Sequence, residues 1–289
     1  MARPASPLRY PGGKAFLAGV LADVIALNGL SDGVYVEPYC GGAGAALTLL
    51  FGEYVQRILL NDADPAVHAF WTSAMRRTDA FMALLKETPI TIEEWRRQRG
   101  IYRVKPRASR TELGFAALYL NRCNRSGIIV DGGPIGGIAQ KGKWKLDARF
   151  NRRELIRRLE RLSAYRDRVA TYNMDAIAFL RDVVLPHEQL RKTLVYLDPP
   201  YYHKGSDLYA NYYTPEDHET LAVFLQTEAP FKWVLSYDDV PEIRHLYCGL
   251  RQLNTTVPYC AHSRRPGHEL LICSHDTELP HGWRDVRVN

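Results

Sequence analysis

The sequence predicts an α/β fold, a mostly parallel sheet covered by helices with one helical insertion. Two observations carry that prediction. Short apolar runs alternate with amphipathic stretches along most of the chain, and the alternation stops between residues 87 and 166. Val34–Glu37, Ile58–Leu60, Val169–Tyr172, Leu194–Leu197 and Trp233–Leu235 read as buried strands, most of them followed by helix-like segments. Near the end, Leu250–Val257 and Leu270–Ser274 read as a closing pair of strands joined by the basic turn Ser263-Arg264-Arg265-Pro266-Gly267. Inside the break, Ile92–Arg99 and Thr111–Arg122 read as helices, and a glycine-rich, basic loop follows them. The chain thus divides into a first core segment 1–86, an insertion 87–166 and a second core segment 167–289.

Composition sets the outer limits. A length of 289 residues suits one large domain or a core with a smaller domain inserted, given roughly 100–200 residues per domain. With 46% hydrophobic and 24% charged residues the chain is globular, which excludes a disordered tail, a collagen-like chain or a coiled coil. The five cysteines are scattered without zinc-ligand spacing, so neither a disulfide framework nor a metal site is expected. No apolar run approaches the ~20 residues that cross a bilayer, and the first residues lack the apolar core of a signal peptide. A reduced, cytoplasmic protein without membrane or metal is the expectation.

The net charge of +6 understates how the charge is placed. Arg96, Arg97, Arg99, Arg103, Lys105, Arg107 and Arg110 follow one another without an acidic residue. A second cluster holds Lys141, Lys143, Lys145, Arg149, Arg152, Arg153, Arg157 and Arg158, offset only by Asp147 and Glu154. Tyr119, Asn121, Arg122, Asn124, Arg125, Trp144 and Phe150 lie among them. That mixture of phosphate-contacting cations with stacking and edge-reading side chains is what a nucleic-acid surface needs, whereas cations alone suit a solvated face equally well.

The most specific motif is Asp198-Pro199-Pro200-Tyr201, set directly after an apolar strand, where open α/β sheets place their ligands. Prolines alone would only end a strand. Here a carboxylate precedes them and an aromatic follows. An exocyclic base amine is a poor nucleophile because its lone pair is delocalised into the ring. If Asp198 and the Pro199 carbonyl each accept one N–H, the nitrogen is drawn towards tetrahedral geometry and the lone pair is freed. Pro200 stiffens the turn, and Tyr201 offers a face for stacking.

The second motif, Val36-Glu37-Pro38-Tyr39-Cys40-Gly41-Gly42-Ala43-Gly44, runs from a strand through a glycine turn into the apolar stretch Ala45–Leu50. Such a turn lets a ligand approach the backbone closely. The spacing is not that of a dinucleotide fingerprint, and a carboxylate at Glu37 repels a pyrophosphate but attracts a sulfonium, which favours S-adenosylmethionine over a nicotinamide cofactor. Asp62, at the end of the next strand, can accept ribose hydroxyls, while Asp64 before Pro65 is the better helix N-cap. Lys14 suits the cofactor carboxylate and Tyr10 its adenosyl or methionyl part. Asp175 suits either the adenine amine or a helix N-cap.

With these residues in place the chain resembles the Dam-type family of adenine-specific DNA methyltransferases. The resemblance covers nearly the whole chain: Tyr10-Pro11-Gly12-Gly13-Lys14, Glu37-Pro38-Tyr39 with its glycines, Asn61-Asp62, Leu120-Asn121-Arg122 with Ser126-Gly127, Asp198-Pro199-Pro200-Tyr201, and Arg264-Arg265-Pro266-Gly267-His268-Glu269-Leu270-Leu271. Tyr10 stands where the family often has Trp, and Ser126 where it often has Asn. The resemblance implies a Rossmann-like seven-stranded methyltransferase sheet with an inserted, mostly helical DNA-recognition domain. It also implies S-adenosylmethionine as methyl donor, and transfer to adenine N6 of double-stranded DNA with the base flipped out. Catalysis then falls to Asp198, Pro199, Pro200 and Tyr201. The cofactor falls to Tyr10, Lys14, Glu37, Pro38, Tyr39, Gly41, Gly42, Gly44, Asp62, Asp175 and Asp198. DNA contact falls to Asn121, Arg122, Arg125, Lys141, Lys143 and Lys145. Cytosine N4 as target and a catalytically silent DNA-binding relative are the alternatives. A partner restriction endonuclease or none, a monomer or a weak dimer, and a bacterial, phage or prophage setting all stay open here.

Overall fold

The computed structural model describes residues 5–9, 13–203, 213–258 and 266–280. Tyr10 and turn residues 263–265 lie outside them. Seven strands form one sheet: β1 (Val34–Glu37), β2 (Arg57–Asn61), β3 (Val169–Tyr172), β4 (Thr193–Leu197), β5 (Lys232–Asp238), β6 (Arg251–Pro258) and β7 (Pro266–Cys273). Their order across the sheet is β3-β2-β1-β4-β5-β7-β6. The first five are parallel, and β7 enters antiparallel between β5 and β6. Every residue of β1 and β4 is buried, as expected for central strands of a sheet covered on both faces.

Alternation along the strands feeds two cores. Tyr35, Leu194 and Tyr196 point into one, while Val34, Val36, Val195 and Leu197 point into the other. The first is covered by α1 (Ala18–Leu27), α2 (Gly44–Phe51), α3 (Pro65–Arg76), α4 (Thr78–Glu87), α5 (Ile92–Arg103), α6 (Arg110–Cys123) and α7 (Arg152–Ala164). The second lies under α8 (Ala176–Phe179), α9 (Pro215–Thr227) and α10 (Pro241–Leu246).

The 87–166 segment is helical but does not keep a core to itself. Helix α6 packs along α3, and Phe115, Leu118 and Leu120 join Phe70 and Trp71 in the first core. The approach is closest at Gly114, where a Cβ would stand 2.6 Å from the Ala69 carbonyl oxygen. A side chain there would force the helices apart.

The chain order reverses between β1, which leads outward to β2 and β3, and β4, which leads outward to β5. Open parallel sheets leave a crevice at that switch point, beyond the carboxyl ends of the strands. Glu37 ends β1 and Asp198 follows β4, so both motifs singled out by sequence meet at it.

Candidate active site

A cavity of about 500 Å³ opens at the switch point. Lys14, Glu37, Pro38, Tyr39, Gly41, Gly42, Gly44, Asp62, Asp175, Asp198 and Pro200 all border it. Its opposite wall comes from Ser6, Leu8 and Arg9 and from Arg122, Ile128–Val130, Arg149 and Arg158 of the insertion.

The glycine turn is built by its ends. Glu37 Oε1 accepts the Ala46 N–H at 3.0 Å and the Tyr35 hydroxyl at 3.1 Å, so the carboxyl group caps the first turn of α2. Gly41 (φ 42°) and Ala43 (φ 45°) take left-handed backbone between them. At Ala43 that conformation costs about 1–2 kcal/mol, a strain typical of turns shaped for a ligand. Burial pushes Glu37 up to about 8, although the Ala46 and Tyr35 hydrogen bonds oppose it. Glu37 is expected to attract a sulfonium as a carboxylate; in the protein alone burial, with the Asp198 charge adding to it, disfavours that charged form.

On β2, the Asn61 side-chain amide donates to the Pro38 and Met174 carbonyls, holding the ends of β1 and β3 together. Asp62 then accepts the Gly41 N–H through Oδ2 and the Asp64 N–H through Oδ1, both at 2.9 Å. Burial pushes it up to about 7. Asp64 caps α3 by accepting from Ala66 N at 2.8 Å, and it also takes Lys105 Nζ at 2.7 Å and the Tyr102 hydroxyl at 2.5 Å. Lys105, one of the basic run, is thus an internal strut. Asp175 caps α8, with Oδ1 accepting from Ile177 and Ala178 at 3.0 Å.

Lys14, expected at the cofactor carboxylate, borders the cavity and is held here by two carboxylates of the protein itself. Its ammonium lies 2.9 and 3.2 Å from the two Asp198 oxygens and 3.3 Å from Glu269 Oε1 on β7. The physical reason is burial: burial lowers the lysine's pKa, but the two carboxylates outweigh it and raise it well above the ordinary lysine range. Ser236 on β5 donates to Asp198 Oδ1 at 2.8 Å and shares a hydrogen bond with the Tyr196 hydroxyl. Tyr201 is buried and its hydroxyl donates to Glu269, so in this arrangement it offers no open face for stacking. Pro199 is buried beside it.

The residues expected at DNA divide sharply. Asn121 is corrected: it is fully buried, accepts from Arg9 N at 2.7 Å, and donates to the Arg9 and Gly127 carbonyls. It fastens the N-terminal segment to the insertion. Gly127 makes that approach feasible, since a Cβ there would lie 2.4 Å from the Arg9 carbonyl oxygen. Arg122 is 7% exposed, donates to the Pro7 carbonyl, and leaves its buried Nε without a partner among the described residues. Burial, with Arg158, Arg9 and Arg149 nearby, pushes it down to about 9. Arg125, Lys141, Lys143 and Lys145 are exposed, as is Trp144 at 66%. The chain leaves the cavity wall at Val130 and returns to it at Arg149, so the loop carrying these lysines and Trp144 is rooted at the cavity rim.

Sequence reasoning missed Glu269, Ser236, Tyr196 and Tyr213, which lines the cavity and shares a hydrogen bond with the Tyr39 hydroxyl, and it gave Arg9, Arg149 and Arg158 no place at the cavity. Glu269 stood within a quoted motif without a role. Ser236 carried no signal, being one polar residue in an apolar strand.

The strand order, the switch-point cavity and the Asp198 motif define a Rossmann-like α/β protein built to act on a bound ligand. Residues 10–257 match the family described as D12 class N6 adenine-specific DNA methyltransferase, and the chain belongs to that family. It is an adenine-N6 DNA methyltransferase. Among solved structures it is similar to the rRNA methyltransferase aviRa from Streptomyces viridochromogenes, at 13% identity and a TM-score of 0.33 over 88% of this chain and 83% of that one. No curated protein matches it.

Proposed function

We propose that S-adenosylmethionine is the methyl donor, that the DNA is duplex, and that the target adenine leaves the stack to enter the cavity beside Asp198. The residues fit that donor. Each Asp62 oxygen accepts one backbone N–H and retains a lone pair for a ribose hydroxyl. Two acids, Glu37 and Asp62, border the glycine turn; a sulfonium favours their ionised forms, whereas a pyrophosphate would hold them neutral. When bound, S-adenosylmethionine supplies a methyl group already activated on a sulfonium, so the protein's task is to orient and sharpen the amine.

Asp198 does this as an acceptor. A carboxylate has about four lone-pair sites. Lys14 occupies one on each oxygen and Ser236 a second on Oδ1, which leaves Oδ2 for an N–H of the base amine. The carbonyl of Pro199 takes the other N–H. The nitrogen lone pair would form the new N–C bond as the methyl–sulfur bond breaks and its electron pair leaves with the sulfur, and the nitrogen, once positive, would shed its proton to Asp198 or to water. Pre-aimed acceptors favour that charge without a strong base. The arginine wall suits a phosphate beside the flipped base. Arg125, Lys141, Lys143 and Lys145 suit phosphates farther along, and Trp144 suits base stacking.

The observation that carries this reading is the position of Asp198 on a cavity shared by the glycine turn and the arginine wall. An Asp198→Ala variant tests it: DNA and donor binding persist while N6-methyladenine disappears from plasmid DNA. Undiminished methylation by the variant overturns the role of Asp198, and N4-methylcytosine as the sole wild-type product overturns the target.

A further inference from the structure

We propose that Glu269 is a positioning residue for methyl transfer, holding Lys14 and Tyr201 so that Asp198 keeps an oxygen free for the base amine. The proposal rests on the reading of Asp198 as the amine's acceptor.

The geometry is a buried cluster with an odd charge. Lys14 bridges Asp198 and Glu269 at 2.9 and 3.3 Å. Glu269 is fully buried, its Oε1 accepts from both Lys14 and the Tyr201 hydroxyl, and its Oε2 has no partner among the described residues. Two carboxylates against one ammonium leave one surplus negative charge beside the position where the amine becomes positive. Were Glu269 neutral, the ammonium would belong to Asp198 alone. The pair would then be closed and electrically balanced, with less attraction for the methylated nitrogen and a weaker acceptor for its N–H.

The sheet explains why a carboxylate at this position reaches the site. Glu269 lies on β7, opposite Asp238 of β5 and Thr255 of β6, on the strand inserted antiparallel next to the parallel core. Asp238 turns its Oδ1 to the Tyr202 N–H, and Thr255 leaves its buried hydroxyl without a partner among the described residues. The groups acting on Glu269 are Lys14 from the N-terminal segment and Asp198, Tyr201 and Tyr196 from the β4 region, while Asp238 of β5 and Thr255 of β6 stand at the paired strand positions. Burial raises the pKa of Glu269 above the ordinary carboxylate range, with Lys14 opposing it. A raised carboxylate loses its charge on the acid side, so protonating Glu269 and replacing it with glutamine have the same consequence.

The test is Glu269→Gln, with Glu269→Asp and Asp198→Ala alongside. Expected for E269Q is a fall in kcat of about 10- to 100-fold at neutral pH with KM for DNA and for S-adenosylmethionine unchanged. The wild-type kcat has an acid limb above the ordinary carboxylate range; this limb is absent in E269Q and present in E269D, which keeps the charge. A wild-type kcat and an unmoved acid limb in E269Q overturn the proposal while D198A remains inactive. An active D198A overturns the reading beneath it instead. If E269Q does not fold, the wild-type and E269D profiles decide, and acid limbs at the ordinary carboxylate position overturn the proposal.

Discussion

The two charged regions of the molecule are built on opposite principles. At Asp198 three charges and three hydroxyls are packed together, with only Asp198 partly open to water, and every carboxylate and hydroxyl oxygen but Glu269 Oε2 has a partner among the described residues. On the loop between Val130 and Arg149 the cations are exposed, and of the three lysines one reaches a backbone carbonyl and another lies near an exposed Trp144. Buried charges act as a unit, because removing one leaves the others uncompensated. Exposed charges act additively, through screened attraction for a polyanion. One region suits placing a single nitrogen, and the other suits gripping a repeating backbone of any sequence.

The largest effect that separates the two regions is expected from Lys14→Met. It leaves Glu269 buried without its cation, next to Asp198, and is expected to cost about 3–5 kcal/mol of stability at neutral pH along with activity. The sign is fixed by Glu269. Its folded pKa is already raised, and without Lys14 it rises further, so the folded variant binds the proton more tightly than the unfolded chain. The variant's deficit therefore grows as pH rises through that range and shrinks on acidification. Thermal unfolding of both proteins between pH 5 and 8 checks this; a melting-temperature gap that stays constant with pH overturns the cluster as described.

Neutralising Lys141, Lys143 and Lys145 together should act differently. Stability stays unchanged, because the three side chains are exposed, and DNA affinity falls alike for all sequences. The slope of log affinity against log salt becomes shallower by about 0.9 for each phosphate that the loop no longer neutralises. An unchanged slope would return the loop to an ordinary solvated surface.

The contrast also explains what was legible in the sequence. Strands β1 and β3 coincide with the apolar runs, and the two motifs begin where the runs of β1 and β4 stop, whereas the switch point depends on a strand order that the sequence does not display. Strand β5 extends to Asp238, beyond the apolar run, since Ser236 and Asp238 are polar for the sake of the site and so hide the strand. Asn121 was misplaced for a physical reason that was visible. The stretch Leu113–Leu120 is apolar on all sides, which marks a helix buried all round, and Asn121 continues it inward. Lys14 was beyond local reasoning: its partners stand at positions 198 and 269, and only tertiary packing brings them within 3.3 Å of it.

A smaller effect separates the two acids of the glycine turn. Burial pushes Asp62 up to about 7 and Glu37 up to about 8 in the protein alone, so each must lose a proton before it can offer a full negative charge. If Asp62 accepts ribose hydroxyls, affinity for any adenosyl ligand rises with pH through about 7 and then levels off. If Glu37 faces the sulfonium, a second rise near 8 accompanies S-adenosylmethionine but not S-adenosylhomocysteine, whose sulfur is neutral. Each rise is at most tenfold per pH unit, because one proton is released. Calorimetric titration of both ligands between pH 6 and 9 resolves the two limbs. Identical profiles for the two ligands would assign Glu37 to capping α2 alone, leaving Asp62 as the turn's ligand-facing acid.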